Sequence, residues 1–272
     1  MPKSYSLRLI PLLIAIVVLQ FACSAKPEKK ADLEGILQNH VLSVGLEAGY
    51  IPFEMRNKNG DYIGFDVEMA SALAQDLGVP LRIVNMGGEG LIPGLLTEKF
   101  DLLIAGVTIT PDRAKTVQFS DPYFTTGQSA LLSNDLKGRI DRVEQLNDPK
   151  FVLTTVAGTT GDIAVKTLLP LATRRQLENA TDATNEVRLG KADAFIFDLP
   201  FLQILAKKYS DQVFVLDKPF SEETFGVAML KNRPELLRRV NAFIKSWKES
   251  GRWNQSYKKY FVTMEWLKEV NL

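Results

Sequence analysis

Arg113 is the residue whose type and setting most clearly suit the binding of a small anion. Its guanidinium can hold a carboxylate through two parallel, charge-assisted hydrogen bonds, which a lysine cannot reproduce. It comes three residues after Thr110, a good helix N-cap, and Pro111 suits the first helical position. The start of its helix is therefore sharply defined. An exposed arginine paired with Asp112 or Asp121 is the alternative on local sequence alone.

The composition excludes several other chemistries. The chain of 272 residues has one cysteine and one histidine, so neither a CxxC redox pair, a structural zinc site nor an intrachain disulfide is expected. A Ser-His-Asp triad needs a histidine, and the lone His40 precedes the first predicted strand, where a surface role is expected. The net charge of +1 gives no field that would gather nucleic acid. We therefore predict no catalytic residue, metal, cofactor or nucleic-acid partner.

Phosphate-binding loops are also missing from the sequence. No GxGxxG pattern and no Walker lysine follows any predicted strand. Gly87, Gly88 and Gly90 lack the required spacing, and they favour a flexible turn instead.

The N-terminal residues read as an export signal. Lys3 and Arg8 precede an apolar run from Leu9 to Leu19. This run is shorter than the about 20 apolar residues that a membrane-spanning helix needs. Residues 1–22 are therefore predicted to be a signal peptide.

The single cysteine, Cys23, follows this signal in the place where bacterial lipoproteins carry their acylated cysteine. We expect lipidation at Cys23, with residues 23–35 as a tether that holds the folded part off the membrane. Gln20 and Phe21 differ from the residues usual before a lipidated cysteine. Ordinary cleavage at a nearby alanine, which would release a soluble periplasmic protein, is the alternative.

The rest of the chain alternates apolar strands with amphipathic helices. The clearest helix runs from Gly64 to Gly78, because its apolar residues recur at helical spacing and Gly78 and Pro80 end it. Such alternation predicts βαβ units and parallel sheets, whose ligand sites lie beyond the carboxyl ends of the strands. Further helices are predicted over Leu91–Glu98 and after Pro234, and strands over Val41–Gly45, Leu81–Val84, Asp101–Ala105, Ser129–Ser133, Val152–Val156, Ala194–Phe197 and Gly226–Leu230.

Six segments in a fixed order then resemble one family, the family 3 type of bacterial periplasmic solute-binding proteins, which bind polar amino acids. The resemblance covers residues 37–261. It rests on Gly49-Tyr50-Ile51-Pro52-Phe53-Glu54, GFDVEMA from Gly64, Leu91-Ile92-Pro93, AGVTITPDRAKTVQFSDPY from Ala105, Ala157-Gly158-Thr159-Thr160 and Ala192-Asp193-Ala194.

The resemblance implies an α/β, two-lobed periplasmic-binding-protein type II fold, in which each lobe is a mostly parallel sheet flanked by helices. It places lobe 1 at residues 36–125 and 222–272, and lobe 2 at residues 128–219, with two crossing strands between them. It further implies a monomer outside the cytoplasm that captures a free polar amino acid and delivers it to the permease subunits of an ABC transporter.

A site for a free amino acid needs a fixed cation and a fixed anion, because the ligand carries a carboxylate and an ammonium on the same carbon. The resemblance assigns the carboxylate to Arg113 and to the turn formed by Gly158, Thr159 and Thr160. It assigns the ammonium to Asp198, Gly106 and Thr108. On local sequence, Asp198 could equally be a helix N-cap before Pro200.

The side chain of the ligand is expected to meet Tyr50 and Glu47. Tyr50 corresponds to the aromatic residue that stacks on the ligand, and Glu47 to the position that often contacts the far end of its side chain. An acidic residue there favours a cationic or amide terminus. Gly88 stands where the family usually has a second aromatic wall, so either Phe197 replaces that wall or the pocket is wider.

Two other functions stay open on the sequence. Some proteins of this fold resemble cyclohexadienyl or arogenate dehydratases, and Glu47 or Glu89 could then serve as the acid. The same domain also serves as a ligand-sensing module, which here would need a separate receptor partner.

Overall fold

The computed structural model describes residue 1 and residues 32–271. Residues 2–22 of the predicted signal peptide, the predicted lipidation site Cys23 and the predicted tether as far as residue 31 lie outside the described residues. Within the described part, no helix is long and apolar enough to cross a membrane.

Two mixed sheets organise the described chain. The first has the order β4 (Leu81–Asn85), β1 (Leu42–Leu46), β5 (Leu102–Leu103), β14 (Ala228–Met229) and β6 (Gln118–Phe119). The second has the order β10 (Thr173–Leu177), β9 (Val152–Val156), β11 (Ala194–Asp198), β8 (Gln128–Ser133) and β12 (Val213–Val215). Smaller ladders pair β2 (Met55–Arg56) with β3 (Tyr62–Ile63), and β7 (Phe124–Thr126) with β13 (Glu223–Phe225).

Helices connect and flank these sheets. The α-helices are α1 (Leu33–Gln38), α2 (Phe65–Leu77), α3 (Gly88–Leu96), α4 (Pro111–Thr116), α5 (Thr160–Leu168), α6 (Ala180–Arg188), α7 (Leu199–Lys208), α8 (Pro234–Glu249) and α9 (Arg252–Tyr257). Short 3₁₀ turns cover Asn134–Leu136, Val143–Leu146 and Glu265–Lys268, and a π-helical turn covers Lys258–Thr263.

The strand directions follow the same plan in both sheets. Strand β1 is parallel to β4 and β5, and β9 is parallel to β10 and β11. The later strands are antiparallel, since β14 runs against β5 and β6, and β8 runs against β11 and β12. The predicted α/β class is confirmed, with an antiparallel part added to the parallel strands of each sheet.

The chain passes between the two sheets through the antiparallel pair β7 and β13, which we call the crossing strands. Thr126 pairs with Glu223, and Phe124 pairs with Phe225. Along the chain, β1, β4, β5 and β6 of the first sheet precede the strands of the second sheet, and β14 follows them. This order supports the proposed lobe boundaries at residues 36–125 with 222–272 and at residues 128–219. Those boundaries stay a prediction.

An aromatic cluster fastens the crossing strands to the first lobe. The ring of Phe53 lies 4.9 Å from Phe124 and 5.4 Å from Phe225, both edge-on. Phe53 and Phe225 are fully buried, and burying each such side chain stabilises the fold by about 1.5–3 kcal/mol. Tyr50 stacks on Phe53 at 4.9 Å, so this cluster also orients a predicted ligand-binding residue.

Element ends agree with the sequence except at a few places. Gly78 ends α2 in the left-handed conformation, with φ of 71°, as its predicted role requires. Helix α3 begins at Gly88, three residues before the predicted start, and Pro93 therefore lies inside it. Helix α1 begins at Leu33, within the stretch predicted as tether, and Ile36 belongs to the core.

Candidate functional site

A cavity of about 500 Å³ lies between the two sheets, a volume suited to a small molecule. All of the predicted ligand-binding residues line it: Glu47, Tyr50, Gly106, Thr108, Arg113, Gly158, Thr159, Thr160 and Asp198. They come from the carboxyl ends of parallel strands, since Glu47 follows β1, Gly158 follows β9 and Asp198 ends β11. The structure brings these residues together, whereas their contacts with a ligand stay a prediction.

A larger recess of about 820 Å³ lies beside the crossing strands, against α9. Lys248 is the one charged residue that the described chain contributes to its lining. We place the candidate site in the smaller cavity, because only that cavity presents fixed charges of both signs.

Arg113 reaches across the cleft between the lobes. Its backbone N–H donates to the side chain of Thr110 at 3.2 Å, which caps α4 as predicted. Its guanidinium donates to the carbonyl of Thr108 at 3.0 Å and to the carbonyl of Gly158, in the second lobe, at 3.1 Å. The alternative pairing with Asp112 is not formed, since that carboxylate binds Lys115 at 2.7 Å. Arg113 is thus held at the cavity by neutral carbonyls, which leave its charge available to an anion.

Asp198 faces Arg113 from the second lobe as a buried carboxylate, 7% exposed. It accepts hydrogen bonds at 2.8 Å from the hydroxyl of Tyr50 and at 2.8 Å from the amide of Gln128. Asp198 stands at the N-cap position of α7, as the alternative predicted, but its side chain makes no capping hydrogen bond there. Burial and the negative charge of Glu223 raise the pKa of Asp198 to about 7, against the opposing effects of Tyr50, Arg113 and Gln128.

Tyr50 forms the apolar wall of the cavity together with Phe197. The two rings are edge-on with centroids 5.6 Å apart, and both residues line the cavity. Phe197 therefore lies against Tyr50 and contributes an aromatic ring from the second lobe. The sequence left open whether Phe197 replaces the aromatic wall missing at Gly88 or the pocket is wider.

Gly88 makes room for the carboxylate of Glu47. A Cβ at position 88 would lie 2.7 Å from Oε2 of Glu47, which is too close without movement. Burial raises the pKa of Glu47, and a hydrogen bond with the backbone of Gly88 opposes the rise. The glycine in place of an aromatic residue thus lets an acidic group approach α3.

Gly106 and Thr108 lie on the turn that follows β5. Gly106 has φ of 55°, and a Cβ there would lie 2.3 Å from the ring of Tyr50, so only glycine fits without movement. Its N–H donates to Asp66 at 2.7 Å, so this amide is used within the first lobe. The hydroxyl of Thr108 donates to Glu223 at 2.8 Å.

The turn at Gly158, Thr159 and Thr160 leads into α5. Thr159 is the N-cap, and its hydroxyl accepts from the N–H of Asp162 at 3.2 Å. The N–H of Thr159 already donates to the carbonyl of Val156 at 3.3 Å, so that amide is used within the turn. The N–H of Thr160 stands at the first helical position, where backbone amides have no partner within the helix.

The lining of the cavity is strongly acidic. Among the described residues, Arg113 is the only basic residue that lines the cavity. Such a surplus of carboxylates favours a ligand with net positive charge. The acidic residues are Glu47, Glu54, Glu89, Glu178, Asp182 and Asp198.

Glu54 and Asp66 form a buried carboxyl pair beneath Tyr50. Both are fully buried, and within residues 32–271 neither oxygen of Glu54 has a hydrogen-bond partner by distance and angle. Burial, with the nearby Asp66, raises the pKa of Glu54 well above its ordinary value, and burial raises the pKa of Asp66 to about 7. Two adjacent carboxyl groups without a cation cannot both be charged, so the pair holds a proton at neutral pH.

The sequence analysis did not assign site roles to Gln128, Glu54 or Glu223. Gln128 is the first residue of the predicted second lobe, and Glu54 belongs to the quoted GYIPFE segment, so each had a weak signal. Glu223 is a glutamate beside another glutamate, Glu222, in a polar stretch, and nothing local separates the two.

Comparisons with known proteins agree with this geometry. Residues 42–263 match the bacterial extracellular solute-binding proteins, family 3. The glutamine-binding protein of an ABC transporter from Bacillus subtilis is 31% identical over 99% of this chain and 98% of its own length.

Two solved structures are similar over most of the chain. A protein from Wolinella succinogenes complexed with lysine has a TM-score of 0.81 at 39% identity, covering 85% of this chain and 99% of that one. An ancestral amino acid-binding protein, described as a precursor of cyclohexadienyl dehydratase, has a TM-score of 0.79 at 41% identity, covering 84% and 98%. These likenesses confirm the predicted two-lobed, periplasmic-binding-protein type II fold. The chain therefore belongs to family 3 of the bacterial extracellular solute-binding proteins.

Proposed function

We propose that the cleft captures a free amino acid with a cationic side chain and that the protein delivers it to the permease subunits of an ABC transporter. The observation that carries the proposal is the pair of opposite charges, Arg113 and Asp198, which line one cavity from different lobes. The relative from Bacillus subtilis, which binds glutamine for an ABC transporter, and the lysine complex support the ligand class and the transport role.

The two charges match the two ends that every amino acid shares. The guanidinium of Arg113 holds the α-carboxylate through its forked N–H groups, with the N–H of Thr160 as a second donor. Asp198 accepts from the α-ammonium, together with the carbonyl of Gly106 and the hydroxyl of Thr108. Because the ligand charges leave water on binding, each needs such a partner to avoid a large desolvation cost.

The acidic lining then selects the side chain. In this arrangement the ligand extends along Tyr50 toward Glu47, and the ammonium of lysine or the guanidinium of arginine meets a carboxylate. A ligand with an acidic side chain would meet Glu47 as a like charge, which costs affinity. Glutamine lacks that penalty but gains no ion pair, so we expect it to bind more weakly than arginine or lysine.

Closure of the two lobes accompanies binding. The hydroxyl of Tyr50 donates to Asp198 at 2.8 Å, and the guanidinium of Arg113 donates to the carbonyl of Gly158 at 3.1 Å, so residues of the two lobes contact each other directly. An amino acid adds contacts to both lobes at once and shifts an open and closed equilibrium toward the closed state.

The protein acts outside the cytoplasm, as its family description states. The finer placement is our proposal: acylation of Cys23 anchors the protein to the membrane, and it acts there as a monomer. The charged start and apolar run before Cys23 support export and the single cysteine supports the anchor.

Binding rather than catalysis is the function that the site favours. The enzyme alternative gains some support from the ancestral relative described as a precursor of cyclohexadienyl dehydratase. Against it, Arg113, Thr108 and Asp198 form a complete set of anchors for an amino acid. Incubation with prephenate or arogenate separates the two functions, since turnover by the purified protein would establish the enzyme.

A thermal-shift screen over the common amino acids tests the proposed ligand. A ligand at 100 times its dissociation constant stabilises the folded state by about 2.7 kcal/mol, which is readily seen as a rise in melting temperature. We expect the largest rises with arginine and lysine, and none with glutamate. If no amino acid shifts the melting temperature, the proposed function is wrong.

A further inference from the structure

Glu223 occupies the point where the crossing strands meet the ligand cavity. It opens β13 and pairs with Thr126 of β7, so its backbone belongs to the connection between the lobes. Its side chain is partly buried and points to residues of both lobes.

One oxygen of Glu223 joins the two lobes. Its Oε2 accepts from the hydroxyl of Thr108, in the first lobe, at 2.8 Å. The same atom accepts from the hydroxyl of Thr160, in the second lobe, at 2.8 Å. The other oxygen accepts from Ser221 at 3.2 Å, which fixes the orientation of the carboxylate.

These bonds decide what the two threonines can offer a ligand. A hydroxyl has one hydrogen, and in both threonines that hydrogen is donated to Glu223. Their oxygens can therefore only accept from a ligand. Thr160 also accepts from the amide of Gln128 at 3.1 Å, so Thr108 retains the larger accepting capacity. An acceptor suits an ammonium and repels a carboxylate.

The charge of Glu223 acts on the two anchors as well. Its negative charge raises the pKa of Asp198 and opposes the lowering of the pKa of Arg113 by burial. The other groups that face Asp198 are Tyr50, Arg113 and Gln128. Glu223 is thus bound to both lobes and interacts electrostatically with both anchors.

We propose that Glu223 is a positioning residue for amino-acid capture: it holds the hydroxyl of Thr108 as a hydrogen-bond acceptor toward the ligand ammonium and, through its bond to Thr160, ties lobe closure to that arrangement. This inference rests on the proposed function, because it assumes an amino acid in the cleft. Glu223 lies on the connection between the lobes and acts on the ligand through the threonines.

Two variants of Glu223 separate its hydrogen bonds from its charge. Glu223→Ala removes the acceptor, frees both hydroxyls and cuts the link between the lobes. We expect affinity to fall at least about tenfold for arginine, lysine and glutamine alike, mainly through faster dissociation. Glu223→Gln keeps an oxygen for the two hydroxyls but removes the charge, so a smaller loss is expected.

The pH dependence of binding distinguishes positioning from a purely structural role. Loss of the negative charge in Glu223→Gln should lower the pH at which binding is half lost, because Asp198 then ionises more readily. A side chain that only packs would leave this midpoint unchanged. Glu222→Ala is the matched control. Glu222 is the exposed neighbour of Glu223 on the same segment, and its substitution by alanine also removes one negative charge.

The experiment is calorimetric and stopped-flow titration of the full mature chain and these variants with arginine, lysine and glutamine between pH 5.5 and 8. Unfolding temperatures without added amino acid verify that each variant folds. If Glu223→Ala does not fold, the result for Glu223→Gln decides the test. The inference is overturned if Glu223→Gln keeps the wild-type midpoint, or if Glu222→Ala causes the same loss as Glu223→Ala. If the wild type binds none of the three amino acids, the proposed function itself fails, which is a separate result.

Discussion

Acidification should release the ligand by protonating Asp198. The pKa of this carboxyl is raised to about 7, because it is buried and faces Glu223. The α-ammonium of a ligand needs the charged form as its acceptor. Binding therefore requires deprotonation, and affinity must fall as the pH drops below about 7.

The size of the effect follows from the fraction of charged Asp198. With a pKa of about 7, roughly 90% of the groups are charged at pH 8 and roughly 3% at pH 5.5. The apparent dissociation constant scales with the inverse of that fraction, so it should rise about 30-fold, or about 2 kcal/mol, between the two values.

Isothermal titration with arginine or lysine measures this change, since neither side chain titrates in the range. Histidine is unsuitable because its imidazole does. Asp198→Asn should bind weakly and lose the pH dependence. Glu47→Gln should keep the pH dependence, which controls for the acidic residue expected to meet the ligand side chain.

A constant affinity for arginine and lysine between pH 8 and pH 5.5 would refute the reasoning. The same conclusion would follow if Asp198→Asn kept the full pH dependence. In that case the titrating group would have to be sought in the buried pair of Asp66 and Glu54, where the pKa of Asp66 is also raised to about 7.

Four further outcomes are expected. Arg113→Lys should weaken every amino acid and Arg113→Ala should abolish binding, a loss of about 2–5 kcal/mol measured by calorimetry, because the forked partner of a buried carboxylate is gone; unchanged affinity would show that the carboxylate lies elsewhere. Glu47→Gln should weaken arginine and lysine selectively and leave glutamine nearly unchanged, and an equal effect on all three would make Glu47 structural. Gly88→Ala should reduce the preference for arginine and lysine over glutamine, because its Cβ would lie 2.7 Å from Oε2 of Glu47 and displace that carboxylate. A competition titration in which the variant keeps the wild-type affinity ratios would contradict this. Cys23→Ser should move the protein from the membrane to the soluble fraction, and identical fractionation of variant and wild type would argue against the anchor.

Local patterns in the sequence predicted the clearest helices and strands, and the family resemblance predicted the residues that line the cavity. The cap at Thr110, the proline at 111 and the left-handed glycine at 78 act within one helical turn, so their effects can be read without knowing the fold. The ordered segments from Gly49 to Ala194 supplied the family, and with it the two lobes and the residues that line the cleft.

Contacts between distant residues were decided only by the tertiary structure. Asp198 could cap a helix or face a ligand on sequence alone, and only the structure shows that its carboxylate makes no cap hydrogen bond and lies at the cavity beside Tyr50, 148 positions away. At Gly88 the sequence left open whether Phe197 replaces the missing wall or the pocket is wider, and only the structure shows Phe197 against Tyr50 and the carboxylate of Glu47 beside Gly88. The sequence does not distinguish Glu223 from its neighbour Glu222, whereas the structure shows that Glu223 in β13 binds both Thr108 and Thr160. Burial and charge at these points depend on which strands meet at the cleft, and no local pattern in the sequence encodes that meeting.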